Sequence, residues 1–464
     1  DHPGVTRGWK APVGPVHAQK ERVGMKGSGG LTRWLRGTCF AGYYWATGRR
    51  SLLANVNRLD RLYRAPRAEI DSLLRRELVR LLSHASRTVP YYRDVTGEVE
   101  LSEETVLSQL QQMPVLTKAA IYEAGSRLVS ERPGRGTRWN NSGGSTGEPV
   151  RLLQDRHMVN RSRAGELLFL RWAGHRMGEP HVLIWGVPQE TFKEPISFHE
   201  RAYRLIHNET YLNCYKTSDE IVRRQLEYIN RKRPTLIEGY VEALCDLSRM
   251  ITGEGIDVAR PRAVLSSAGV LTAQARETIE RAFGCPVFNR YGSREVSNMA
   301  CSCESNTELH VNELSTHLEI MDDDGRPCEP GVEGRVLVTL LTNYTMPLIR
   351  YQIEDRAAWA SGPCPCGRTT RRLVNVTGRQ SDYLYAMDGT RFGGSGMSTL
   401  LFSTSGIRRY QFRQTRPDQV TLAVVPNDGV EKEALMRELE VPVARLKEVL
   451  KGVTVTLAIV NEIV

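Results

Sequence analysis

The chain has 464 residues, 40% of them hydrophobic and 25% charged, a balance normal for a globular protein and too long for a single ordinary domain. No apolar run approaches the roughly 18 residues that cross a bilayer, so no membrane span is expected. The formal charge of +10 is spread along the chain without the interleaved aromatics of a nucleic-acid footprint, which argues against nucleic acid and suits anionic cosubstrates.

Residues 1–30 are rich in Gly, Pro and charge and are expected to be poorly ordered. The chain opens on Asp1, and Met25 is a candidate start, which makes residues 1–24 an extension. From Ile70, apolar residues recur at Leu73, Leu74, Leu78, Leu81 and Leu82, one face of a helix that Pro90 ends. Residues 137–153 read as strand, Gly-rich turn and strand, followed by a helix from His157 to Trp172. His181–Val187 reads as a short buried strand. Thr217 and Glu220 form a capping-box pattern ahead of a helix that Pro234 stops, with a strand over Thr235–Ile237. Val264–Ser267, a helix over Ala273–Phe283 and Val287–Asn289 repeat the rhythm. Such alternation predicts an α/β sheet with mostly parallel strands.

After Glu304 the character turns β-rich, with strands over His317–Met321 and Arg335–Leu341. Beyond a second shift near Gln380, Ile407–Gln414, Gln419–Val425, a helix over Lys432–Leu450 and Val453–Val460 spell a small β-β-α-β unit. The expected organisation is an extension over 1–30, a large N-terminal domain over 31–380 with mixed sheets and a β-rich subdomain, and a small mobile α+β domain over 381–464.

Nine cysteines are an odd number, which speaks against a disulfide framework and for a reducing cytoplasm. Four fall in two Cys-x-Cys pairs, Cys301/Cys303 and Cys364/Cys366. Cys303, His310, Cys364 and Cys366 make a Cys₃His set fit for a closed, structural zinc site, with Cys301 competing for the place of Cys303. The bland alternative is four buried thiols and a surface histidine.

The segment Ser142-Gly143-Gly144-Ser145-Thr146-Gly147 packs glycines, which let backbone N–H groups wrap a phosphate, among hydroxyls that add donors. It lacks the Gly-Lys-Ser/Thr ending of a Walker loop, and alone it also fits a hairpin turn. The segments that follow narrow the reading. Ser267-Ala268-Gly269, Tyr291-Gly292-Ser293-Arg294-Glu295, Arg350-Tyr351-Gln352-Ile353-Glu354-Asp355 and Gly378-Arg379-Gln380-Ser381-Asp382 come in order at plausible separations. With the Gly-rich loop they resemble the core segments of the adenylate-forming superfamily. Leu81–Arg93 and Met113–Lys118 narrow the resemblance to the phenylacetate–CoA ligase family and its relatives in capsule biosynthesis. It runs from about residue 70 to the end.

The resemblance implies an AMP-forming acid–thiol ligase using ATP and Mg²⁺. A small carboxylic acid becomes an acyl-AMP with release of pyrophosphate, and the acyl group passes to CoA. It also implies roles. Ser142 to Gly147 would hold phosphates, Glu295 the Mg²⁺, Tyr291 the nucleotide frame, Ala268-Gly269 the adenine and Asp355 the ribose hydroxyls. Arg379 would approach ribose or phosphate. Trp185, Tyr240 and Ser267 form the expected acyl pocket, though core packing explains Trp185 almost as well. Two departures stand out. Ser381 replaces the usual acidic hinge residue, and the sequence ends on Ile459–Val464, where relatives go on to a Gly-Lys element; Lys451 does not match that lysine, so no catalytic lysine is assigned. A carrier-protein or amine acceptor, a non-catalytic nucleotide binder and a homodimer stay open.

Overall fold

The computed structural model describes residues 42–44, 51–96, 101–142, 150–186, 197–377, 383–393, 396–397, 400–401, 404, 406–427 and 429–463. The expected disorder of residues 1–30, the loop from Gly143 to Gly147 and the Gly378–Asp382 segment with its domain boundary lie outside the described residues. Two long helices, α1 (Ser51–Leu62) and α2 (Arg67–Thr88), lead into the short α3 (Pro90–Thr96), α4 (Val106–Gln112) and α5 (Lys118–Ala124). The apolar stripe of α2 is buried at Ile70, Leu74, Leu78, Leu81 and Leu82. Pro90 does more than end that helix. Its fixed φ and missing N–H suit a first helical turn, and α3 begins on it.

A hairpin of β1 (Arg138–Asn141) and β2 (Arg151–Gln154) precedes α6 (Arg156–Trp172), whose N-cap Asp155 accepts the Met158 N–H at 2.9 Å. The α/β rhythm then runs β3 (His181–Trp185), α7 (Phe198–His207), β4 (Glu209–Asn213), β5 (Lys216–Thr217), α8 (Asp219–Lys232), β6 (Leu236–Tyr240), α9 (Val241–Glu254), β7 (Ala263–Ser267), α10 (Ala273–Phe283) and β8 (Val287–Ser293). The capping box expected at Thr217 is corrected. Ser218 caps α8, accepting the Ile221 N–H at 3.4 Å. Thr217 is taken up by β5, and its hydroxyl donates to Asp246 at 3.4 Å.

From β8 onward the strands alternate in direction: β9 (Ser297–Cys303), β10 (Asn306–Val311), β11 (Thr316–Met321), β12 (Gly334–Leu340), β13 (Tyr351–Trp359) and β14 (Arg372–Thr377). All but the hairpin and β5 join one 11-stranded sheet, ordered β11-β12-β13-β14-β10-β9-β8-β7-β6-β3-β4. Strands β4, β3, β6, β7 and β8 are parallel, and the β8–β9 pairing begins the antiparallel half. The β-rich subdomain is therefore continuous with the α/β half.

The parallel strands are covered on both faces. Val182, Ile184, Ile237, Val264 and Val287 pack with side chains of α8, α9 and α10. Leu236, Ala263, Leu265 and Phe288 pack under α6. Such strands read as short continuous apolar runs rather than alternating ones.

The chain closes with β15 (Tyr383–Tyr385), β16 (Arg391–Gly393), β17 (Ile407–Arg416), β18 (Gln419–Pro426), α11 (Lys432–Val449) and β19 (Thr454–Ile459). The last four elements form the expected β-β-α-β unit, with β18 and β19 parallel. Strand β16 pairs with β5, and Arg391 reaches Asp246 at 2.8 Å. The residues just past the expected boundary are thus docked on the α/β half.

Candidate functional site

In open α/β sheets ligands gather beyond the carboxyl ends of the parallel strands. Trp185 ends β3, Tyr240 ends β6 and Ser267 ends β7. The Trp185 and Tyr240 rings meet edge to face with centroids 4.6 Å apart, and Tyr240 is the register partner of Ser267. Past Ser267 the chain turns sharply. Ala268 has φ +50°, and a Cβ on Gly269 would stand 3.1 Å from both carboxylate oxygens of Glu242. That crowding leaves room for glycine there and presents backbone at the rim, a surface on which a planar base can lie.

The β1–β2 hairpin carries the Gly-rich loop. Its neck is closed by Ser142, whose N–H donates to the Val150 carbonyl at 2.8 Å and whose Oγ accepts the Val150 N–H at 2.7 Å. The stem is fastened to the segment before Glu295. Asn140 and Gln154 both donate to the Arg294 carbonyl, at 3.2 and 3.1 Å. Glu295 follows and is buried. Two motifs 154 residues apart in sequence are joined by these bonds.

A third motif arrives on β13. Tyr291 donates to the Asp355 carboxylate at 2.7 Å. Burial, joined by the charge of Glu295, raises Asp355 to about 6, against the opposing pull of the Tyr291 hydrogen bond and of Lys118. Burial and the neighbouring Asp355 push the Tyr291 phenol well up, so it stays a donor. The same geometry exposes a residue that sequence reasoning left without a role. Lys118 is buried and pairs with Glu354 at 2.6 Å, beside Asp355, at a position where Glu354 takes φ +69°. The segment ahead of Lys118 is strapped to β13. Leu116 N–H donates to Arg350 O at 3.1 Å, Gln352 N–H donates to Leu116 O at 3.0 Å, and the Arg350 guanidinium reaches the Met113 carbonyl at 2.6 Å. From sequence, a lysine opening a short helix reads as solvated surface. Arg379 and Gly143 to Gly147 lie outside the described residues.

No family model matches the chain. Among known proteins it is 22% identical over 362 residues to Protein CapK of Staphylococcus aureus, covering 77% of this chain and 79% of that one. It is 26% identical over 331 residues to a phenylacetate–coenzyme A ligase of Thermus thermophilus, covering 69% and 72%. A 2-hydroxyisobutyryl-CoA ligase solved with its acyl-AMP shares the fold at a TM-score of 0.56 and 20% identity, over 85% of this chain and 87% of that one. The chain is a relative of the phenylacetate–coenzyme A ligases.

In this ligase relative the cysteines converge. The ligand atoms of Cys303, His310, Cys364 and Cys366 lie within 4.8 Å of one another. Cys303 and Cys364 sulfurs are 3.6 Å apart, and Cys366 Sγ is 3.3 Å from His310 Nε2. A tetrahedron with zinc–sulfur bonds near 2.3 Å has edges of about 3.8 Å, so the donor set fits that ion. His310 is fully buried rather than on the surface, and its Nδ1 bonds Thr370 Oγ1 at 2.8 Å, turning Nε2 to the thiols. Cys301 loses the competition: it is buried in the apolar layer beneath α6. Burial works against a Cys366 thiolate, but hydrogen bonds from Arg368 outweigh it and hold that thiol below its ordinary value.

Proposed function

We propose that the chain is an ATP-dependent ligase that converts a small carboxylic acid to its acyl-AMP, releases pyrophosphate and passes the acyl group to a thiol, with CoA as the acceptor. The observation that carries this reading is the meeting of the loop neck, Glu295, Tyr291 and Asp355 at one rim of the sheet. Adenylation must hold two anions together and steady charge on the α-phosphorus, which calls for fixed donors and positioning. The N–H groups and hydroxyls of Ser142 to Gly147 suit the β- and γ-phosphates. Glu295 would hold Mg²⁺, which neutralises the departing pyrophosphate. Asp355, steadied by Tyr291, accepts the ribose hydroxyls. Trp185, Tyr240 and Ser267 face the acid, Arg379 is the cation assigned to the nucleotide, and Lys118, paired with Glu354, steadies the strand that carries Asp355. Cys303, His310, Cys364 and Cys366 would hold a structural Zn²⁺.

The eight described cysteines are free, and no helix among the described residues is long and apolar enough to cross a membrane. Both features suit our placement of the ligase in the cytoplasm.

Exchange of labelled pyrophosphate into ATP, driven by a panel of acids and Mg²⁺, tests the reading, and adding CoA or a carrier protein then identifies the acceptor. No exchange with any acid, together with no effect of Mg-ATP on the melting temperature, would sink it.

Asp355 gives a second test. Ribose hydroxyls donate to the ionised carboxylate, so nucleoside binding opposes protonation. Because the unliganded carboxyl titrates near 6, adenosine affinity is expected to climb about tenfold from pH 5 to pH 7 and then level off. Adenosine carries no titrating phosphate to confuse the profile. Asp355→Asn should bind weakly and without that step; an unchanged step in the variant would remove Asp355 from the ribose site.

A further inference from the structure

Beneath the rim lies a layer of buried charge that the adenylation chemistry does not use. Trp185, Tyr240 and Ser267 share one face of the sheet, and two residues back on those strands the same face carries Leu183, Glu238 and Leu265. Glu238 is 1% exposed and accepts from Arg290 at 2.5 Å. The Arg290 guanidinium lies 5.6 Å from the centre of the Trp185 ring, so the layer touches the wall of the acyl pocket. From α6, Arg163 pairs with Glu166 at 2.6 Å and with Glu209 on β4 at 3.1 Å. Glu166 is near enough to act on the charge of Arg290.

The permanent charges do not balance. Three carboxylates, Glu166, Glu209 and Glu238, face two permanent cations, Arg163 and Arg290, and one ionisable ring, His181, 3.4 Å from Glu238. His207 is not the missing cation, because its Nδ1 lies 3.1 Å from the Arg163 guanidinium, where it can only accept. Hydrogen bonding is incomplete as well. Among the described residues, Arg163 Nε, both ring nitrogens of His181 and Glu238 Oε2 are buried without a hydrogen bond, although His181 Nε2 stands 3.4 Å from Glu238 Oε2. Glu166 is the most accessible of the carboxylates, its side chain 24% exposed against 5% for Glu209 and 2% for Glu238.

A wholly apolar acid seated against this layer would seal an excess carboxylate away from water with only the His181 ring to offset it, a costly arrangement. A positively charged donor at the end of the acid would balance the carboxylates. We propose that the acid activated by this ligase bears an ammonium group at the far end of its acyl chain, held by Glu166 above the Glu238–Arg290 pair. The inference rests on the proposed placement of the acid against Trp185 and Tyr240.

Matched acids test it on the full-length protein. Pyrophosphate exchange is measured with 6-aminohexanoate against heptanoate, and with 4-(aminomethyl)phenylacetate against 4-ethylphenylacetate, pairs alike in shape and different in charge. Wild type should favour the cationic member of at least one pair by about tenfold or more in kcat/KM, since a site built to bond a polar group rejects the analogue that lacks it. Glu166→Gln, checked for an unchanged melting temperature, should bring the pair to near equality, and Glu166→Asp should restore part of the preference. Should Glu166→Gln fail to fold, the wild-type comparison decides alone. Preference for the neutral member, or selection that persists in folded Glu166→Gln, overturns the inference while exchange itself upholds the ligase. So does absence of exchange with every cationic acid when Mg-ATP still raises the melting temperature. If exchange and nucleotide stabilisation both fail, the ligase reading falls with it.

Discussion

Glu295→Ala is expected to lower magnesium-dependent pyrophosphate exchange by roughly 100-fold or more, the loss of about 3 kcal/mol of transition-state stabilisation. The expectation follows from placement. Glu295 is buried immediately after the carbonyl that Asn140 and Gln154 grip, so its carboxylate is fixed relative to the neck of the phosphate loop. A buried carboxylate is costly unless a cation completes it. Glu295→Asp should recover part of the rate, since it keeps the charge on a shorter arm. An internal control separates metal loss from misfolding. The Glu295 charge adds to the rise in Asp355, so in Glu295→Ala the adenosine-binding step should persist and move to lower pH. Exchange equal to wild type in the folded variant would remove Glu295 from metal binding.

The parts of the molecule legible in the sequence are those where one local rule decides. Strands β3, β6 and β7 are buried on both faces and read as short apolar runs between helices, so the α/β half followed from periodicity. Strands β9 and β10 escaped. Ser297–Cys303 mixes Ser, Asn and Cys without alternation because it sits centrally in the sheet, where pairing on both sides fixes it regardless of propensity. The same holds for the site. Tyr291 and Asp355 were named from ordered motifs and meet at 2.7 Å. Lys118 was not named, because its burial is created by β13, more than 200 residues away. The Glu238–Arg290 pair was equally hidden. A glutamate inside an apolar strand and an arginine ahead of Tyr291 carry no sign in sequence that α6 will bury them together. Spacing alone left Cys301 and Cys303 equivalent, and only the packing under α6 separates them.

The purified protein should hold about one zinc per chain, and Cys364→Ser should lose both the metal and on the order of 4 kcal/mol or more of stability. The reason lies in what the four ligands join. Cys303 ends β9, His310 lies on β10, and Cys364 and Cys366 belong to the loop between β13 and β14. That loop also grips the leading helices. Arg64 donates to the Cys366 carbonyl at 2.6 Å, Thr369 N–H donates to the Tyr63 carbonyl at 2.8 Å, and Thr369 Oγ1 donates to Ala65 O at 2.6 Å. Arg67 bridges to Glu313 at 2.6 Å in the same neighbourhood. Apart from the proposed metal, the ligand loop is tied down chiefly by hydrogen bonds, since its cysteines form a small cluster of three separate from the main apolar cores. Without the ion, three thiols and an imidazole crowd together with no metal to organise them. The loop should then loosen, and the α1–α2 junction with it. Amides of Tyr63–Arg67 and Thr369–Arg372 should therefore exchange faster in Cys364→Ser and in chelator-treated wild type, while those of the parallel strands β6 and β7 stay protected. Metal-free wild type with full stability and unchanged protection at the α1–α2 junction would refute the zinc site and leave the adenylation chemistry untouched, because none of the four ligands is among the residues assigned to nucleotide or acid.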